Sequence, residues 1–119
     1  MNLKKINISI IGMGYVGLPL AVSFAKSNDV IGFDLNKKRI NDLKKGLDDT
    51  FEIDKKSLIR SRKLKFTSNL NDLKISNCYI VTVPTPIDKF NNPDFSYLIS
   101  ASNMIGSLLK KKMLLFMSR

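Results

Sequence analysis

Apolar and polar positions alternate from Ile6 through Ser9, then run apolar through Ile10 and Ile11 up to Gly12. A β-branched run closed by a glycine predicts a strand over 6–11. From Tyr15 to Ala25 apolar residues fall on nearly every face (Val16, Leu18, Leu20, Ala21, Val22 and Phe24), as in a helix buried against a sheet. Pro19 then requires the helix to begin just before it, because a first-turn proline gives up no intrahelical hydrogen bond. A second strand is predicted over 29–34, around Val30, Ile31 and Phe33. Asn36 is placed to cap a helix running to Lys44, with Ile40 and Leu43 inward and Gly46 ending it. Residues 47–54 read as a loop, 55–62 as a short helix, 64–67 as a weak strand and 69–74 as a turn or single helical turn. The strand over 78–83 is the strongest after the first, and Pro84-Thr85-Pro86 stops it. After a turn over Asn91–Asp94, Ser96 is placed to cap a last helix whose inward residues are Leu98, Ile99, Ala101, Ile105, Leu108 and Leu109. The apolar run Met113–Met117 has strand length, and a right-handed crossover would set it beside the 78–83 strand.

Strands alternating with helices give the class: α/β, an incomplete Rossmann-type parallel sheet with helices on both faces. At 119 residues, 44% hydrophobic and 25% charged, the chain suits one packed domain. Its net charge of +10 raises the question of nucleic acid. The basic residues are mostly lysines on helix exteriors, and the clusters Lys37-Lys38-Arg39 and Lys110-Lys111-Lys112 are short. No nucleic-acid signature accompanies them, so they read as a solvated surface with some general attraction for anionic nucleotides. No nucleic-acid or membrane partner is expected. The apolar run at Ile6–Ile11 is too short for a signal-peptide core or a membrane span, which makes cytoplasm the expected location. One cysteine, Cys78, excludes an internal disulfide. It begins a buried strand in a chain without histidine, and it reads as packing rather than as a nucleophile.

The candidate chemistry lies where the first strand meets the first helix. Gly12-Met13-Gly14-Tyr15-Val16-Gly17 fits G-x-G-x-x-G in the strand-to-helix context that gives this motif meaning. Gly12 would permit the tight turn, Gly14 the close approach of a pyrophosphate and Gly17 the close packing of helix on strand. The helix N-terminus would then face the phosphates. Asp34, at the end of the second strand and about twenty residues beyond the loop, is placed to accept hydrogen bonds from the adenosine ribose. A carboxylate there would repel the extra phosphate of NADP, so the expected cofactor is NAD. Arg39 lies about one helical turn further on, either beside the adenosine or as a solvated helix residue. Tyr15 and Val16 would flank the pyrophosphate, although Val16 suits the core as well.

Two motifs together, Gly12-Met13-Gly14-Tyr15-Val16-Gly17-Leu18-Pro19-Leu20-Ala21 and Val83-Pro84-Thr85-Pro86, resemble the UDP-glucose/GDP-mannose dehydrogenase family over residues 3 to about 112. Leu64-Lys65-Phe66-Thr67-Ser68 and Pro93-Asp94 are most similar to its bacterial UDP-N-acetylhexosamine (UDP-GlcNAc/UDP-GalNAc) 6-dehydrogenases of capsule, O-antigen or Vi-type polysaccharide synthesis. The resemblance implies NAD-dependent oxidation of a sugar C6 alcohol to a carboxylate, through a cysteine-linked intermediate. It implies that Gly12, Gly14, Tyr15, Val16 and Gly17 hold the pyrophosphate and Asp34 the ribose. Arg39 would lie near the adenosine, and Val83, Pro84 and Thr85 would line the path to the nicotinamide. No residue matches the family's catalytic cysteine, its lysine and asparagine neighbours, or the substrate domain. The chain is therefore expected to bind NAD without turning over a UDP-sugar by itself, as a truncated NAD-binding domain over 1–112 or a non-catalytic pseudogene product. An unrelated Rossmann reductase fits Val83-Pro84-Thr85-Pro86 less well.

The tail departs from the resemblance. The family continues with an acidic residue, an apolar strand and Glu-Ser-Thr, where this chain has Met113-Leu114-Leu115-Phe116-Met117-Ser118-Arg119. One coding of these residues, read from the last base of the preceding lysine codon, gives Asp-Val-Val-Ile-Tyr-Glu-Ser. A frameshift within the Lys110–Lys112 codons is the expectation, making 113–119 an aberrant tail. A strand there with no helix after it would leave an apolar patch and favour self-association.

Overall fold

Alternation in the first strand sets the layers. In a computed structural model that describes residues 6–106, 108 and 113–116, β1 (Asn7–Ile11) sends Ile8 and Ile10 to one face of a sheet and Ile11 to the other. The first face carries α1 (Gly17–Phe24), α2 (Lys37–Lys44) and α3 (Lys55–Arg60). There Leu18, Ala21, Ile40, Leu43 and Leu58 pack on Ile8, Ile10, Val30, Leu64 and Ile80. The second face carries α4 (Ser96–Gly106) and a 3-10 helix (Leu70–Ile75), whose Ala101, Ile105 and Leu73 pack on Ile11, Phe33, Tyr79 and Val81. Burying both faces is why the strands are apolar nearly throughout.

The remaining strands are β2 (Asp29–Phe33), β3 (Leu64–Thr67), β4 (Cys78–Val81) and β5 (Met113–Phe116). All pairings are parallel, in the order β3-β2-β1-β4-β5. The chain thus winds outward from β1 in one direction to β3, then crosses over to β4 and β5 on the other side. This is the doubly wound order, and a crevice opens where the winding reverses, between the carboxyl ends of β1 and β4. The predicted tail strand is present: Cys78 to Val81 register against Met113 to Phe116. Met117 and Leu109, also assigned from the sequence, lie outside the described residues.

Several expectations need correction. Strand β4 ends at Val81, two residues short of the predicted end. Thr82 N–H still donates to Ile11 C=O at 2.8 Å, but β1 turns away at Gly12, whose φ is +105°. The β-branched run therefore outlasts its partner. Strand β2 stops at Phe33, leaving Asp34 one residue beyond it. The helix over 55–62 ends at Arg60. Ser96 does not cap α4: its N–H donates to the Asp94 carboxylate at 2.9 Å, and Phe95 C=O accepts the first intrahelical bond, from Ile99. Ile99 faces outward at 59% exposure, because the buried stripe of α4 is Ala101 and Ile105. Asn36 caps α2 as expected, accepting from Arg39 N–H at 3.1 Å, and Gly46 leaves that helix at φ +82°.

Candidate dinucleotide cleft

The turn after β1 is built from glycines that answer to different demands. Gly12 takes its positive φ where an L side chain would be strained. A Cβ on Gly17 would lie 1.7 Å from the Gly12 carbonyl oxygen and 2.5 Å from Thr82 Oγ1. Only a residue without a side chain lets α1 approach β1 and β4 this closely. Gly14 is the opposite case, since a Cβ there would meet nothing within 4 Å. Its neighbourhood is open space in front of the loop. Above that space α1 begins without a side-chain cap and without an acidic residue in its first turn. An anionic group would meet the positive end of the helix there.

Two charged side chains fasten the loop at Met13, itself fully buried. Asp34 Oδ2 accepts from Met13 N–H at 2.9 Å, and its Oδ1 accepts from Asn36 N–H at 3.0 Å. Arg39 Nε donates to Met13 C=O at 2.8 Å. Arg39 is only 8% exposed, so it is not a solvated helix residue. Its Nη1 donates to Asp48 at 2.7 Å and to Asp49 at 2.8 Å. Asp48 also accepts from Thr50 Oγ1 and from the Thr50, Glu52 and Ile53 amides. Burial alone would push the Asp48 carboxyl up, but the hydrogen bonds from Thr50, Arg39 and the backbone outweigh it and hold its pKa at about 2.

The cleft in front of the loop has a volume of about 560 Å³. Of the residues singled out from the sequence, Gly12, Gly14, Tyr15, Val16, Asp34, Val83 and Pro84 line it. Gly17, Arg39 and Thr85 do not: Gly17 and Arg39 brace the loop from behind. The residues that sequence reasoning missed come mainly from the second face of the sheet. Tyr97, Ser100, Ala101 and Met104 of α4 form the opposite wall, and their spacing along one helix face was available as a signal. Thr82, also on the lining, donates from Oγ1 to Gly12 C=O at 2.8 Å and to Ile11 C=O at 3.1 Å. Leu35 and Asn36 complete the edge beside Asp34. Cys78 lies elsewhere, buried in the core under the helices of the first face, and burial pushes its thiol up. Among the described residues no group of acidic, cysteine or histidine side chains is placed to hold a metal ion, and no helix is long and apolar enough to cross a membrane.

A glycine turn, an acidic residue at the end of β2 and an open crevice at the reversal of strand order fit a dinucleotide. The family model for the NAD binding domain of the UDP-glucose/GDP-mannose dehydrogenase family matches residues 6–118. The chain belongs to this family. The domain that matches is the NAD-binding one, so its cofactor is NAD. The UDP-N-acetyl-D-glucosamine 6-dehydrogenase of Pseudomonas aeruginosa is 50% identical over 109 residues, covering 92% of this chain and 26% of that protein. The enzyme of the same name from Salmonella typhi is 50% identical over 110 residues, with the same coverage. The solved UDP-D-ManNAc dehydrogenase of Pyrococcus horikoshii superposes with a TM-score of 0.86 at 34% identity, over 95% of this chain and 28% of that one. This member of the family therefore spans about a quarter of the length of the relatives it matches. The match runs to residue 118, past the lysines where a frameshift was expected and through the tail strand.

Proposed function

We propose that the chain is the NAD-binding portion of a UDP-N-acetylhexosamine 6-dehydrogenase serving surface polysaccharide synthesis, such as capsule, in the cytoplasm. The observation that carries this reading is the half-identity to two UDP-N-acetyl-D-glucosamine 6-dehydrogenases across nearly the whole chain, supported by the cleft. Gly12, Gly14, Tyr15, Val16 and Gly17 form the pyrophosphate loop, and Asp34 accepts from the ribose hydroxyls. Val83, Pro84 and Thr85 lead toward the nicotinamide, and Tyr97 and Met104 close the far wall. Arg39 serves by holding the loop rather than by lining the cleft. Bound there, NAD supplies the acceptor for hydride from the sugar C6 carbon.

The residues around the cleft carry binding but not the covalent step. The one cysteine of the chain is core packing, remote from the cleft lining. The reading is therefore NAD binding without turnover of a UDP-sugar by this chain alone. Mixing the purified chain with NAD and UDP-N-acetylhexosamines tests this reading. Calorimetry should detect NAD binding while absorbance detects no NADH, and reproducible NADH formation abolished by a substitution in this chain would sink the proposal.

A further inference from the structure

Arg39 follows Asp34 by five residues and lies buried behind the cleft, near the end of β2. In doubly wound dinucleotide folds an arginine near the end of the second strand accommodates the ribose 2′-phosphate, whereas an acidic residue there favours NAD. This chain has both. Asp34 lies on the cleft, and Arg39 lies just behind it, gripping the same residue, Met13. What distinguishes the site is that Arg39 is already spoken for by two carboxylates from outside the cleft. Asp48, whose side chain is fully buried, and Asp49, whose side chain is 71% exposed, both accept from its Nη1. The guanidinium carries one positive charge against their two negative ones, and Asp34 adds a third. With Arg39 Nη2 buried and without a hydrogen-bond partner among the described residues, the arginine keeps a donor but no surplus charge.

We propose that Asp49, together with Asp48, sets the preference for NAD over NADP by neutralising Arg39. The inference rests on the reading of this cleft as the NAD site and extends it to a loop, residues 47–54, that does not touch the cleft. A 2′-phosphate brings about −1.5 to −2 charge at neutral pH and meets the Asp34 carboxylate and an arginine whose charge Asp48 and Asp49 already offset. A ribose 2′-hydroxyl brings no charge and is indifferent to it. Relieving one carboxylate leaves Arg39 paired only with Asp48 and frees part of its field toward a phosphate. Asp49 is the informative position, because it is exposed and forms one of the two ion pairs without the amide bonds that make Asp48 a structural acceptor.

The test is calorimetric titration of the whole chain, and of its Asp49→Asn and Glu52→Gln variants, with NAD and with NADP at low and at moderate salt. Glu52→Gln removes the same charge from the same loop without touching Arg39. Asp49→Asn should tighten NADP binding by about tenfold at low salt, less at moderate salt. NAD affinity should stay within about twofold and the melting temperature should change little. Glu52→Gln should leave the ratio of the two affinities within about twofold. Equal changes for both cofactors in Asp49→Asn, no change for either, or the same gain from Glu52→Gln would each overturn the proposal. Failure of the unmodified chain to bind NAD at all would overturn the reading of the cleft and this inference with it.

Discussion

Asp34 and Arg39 hold opposite ends of a single residue: the carboxylate accepts from the Met13 N–H at 2.9 Å, and the guanidinium donates to the Met13 carbonyl at 2.8 Å. The loop that would receive a pyrophosphate is thus fixed at its second residue by charge-assisted bonds, which are stronger than neutral ones. The same two side chains come from either side of the β2–α2 turn, so they tie the turn to the glycine loop. Substitutions here should separate effects on binding from effects on folding.

Replacing Asp34 removes an acceptor for the loop as well as the proposed acceptor for the ribose. Asp34→Ala should weaken NAD binding by roughly 1.5–3 kcal/mol through lost charged hydrogen bonds and bring the NAD and NADP affinities closer together. Titration calorimetry with both cofactors checks this. Undiminished NAD affinity in the variant would remove Asp34 from the site.

The two glycines of the loop should respond in opposite ways to alanine. In Gly17→Ala the new methyl group would overlap the Gly12 backbone, which no rotamer change relieves. A loss of at least about 2 kcal/mol is expected, or roughly 10 °C in Tm. In Gly14→Ala the methyl group enters open space, so Tm should move by no more than about 2–4 °C, the scale of a surface substitution. NAD affinity should nevertheless fall, because that space is where the phosphates approach. Thermal melts with and without NAD distinguish the two. An unperturbed NAD affinity in Gly14→Ala would place the phosphates elsewhere.

Acid should act through Asp48. Its pKa is lowered from 3.8 to about 2 in the folded chain, so the stability it contributes is complete above the unfolded value. That contribution decays as pH falls below about 4 and is lost as pH falls through about 2. The contribution is on the order of 2 kcal/mol. Denaturant unfolding of the chain and of Asp48→Asn, compared between pH 6 and pH 2, should show the gap between them shrinking by about that amount. A gap independent of pH would mean that the carboxylate is not held in its charged form.

The tail strand covers an edge. Met113 to Phe116 register against Cys78 to Val81, and without them β4 would present unpaired backbone groups. Deleting residues 113–119 should cost about 1–4 kcal/mol, the sum expected for a few cross-strand pairs, and raise aggregation measured by light scattering. Self-association of the intact chain, expected from the sequence, is checked by sedimentation. Unchanged melting and scattering after the deletion would show that the strand adds nothing to the fold.

What the sequence determined by itself is local. Strand β1, the glycine turn, α1 and the Asn36 cap were legible because each depends on residues within one or two turns of chain: β-branching before Gly12, a proline in the first turn of α1, a short polar side chain before α2. Asp34 was legible because its distance from the glycine loop is fixed by one strand–helix–strand unit. Tertiary structure decided the rest. Strand β4 ends where β1 leaves it, not where its own β-branched residues run out, because a strand needs a partner. Arg39 is buried behind the loop because Asp48 and Asp49, ten positions or fewer along the chain, fold back to neutralise it, and nothing in a lysine-rich helix announces that. The far wall of the cleft comes from α4, roughly eighty residues after the glycine loop, and only the winding order of the sheet brings it across β1. Spacing along the chain reports which residues share an element, whereas charge compensation and walls built by remote helices depend on which elements meet.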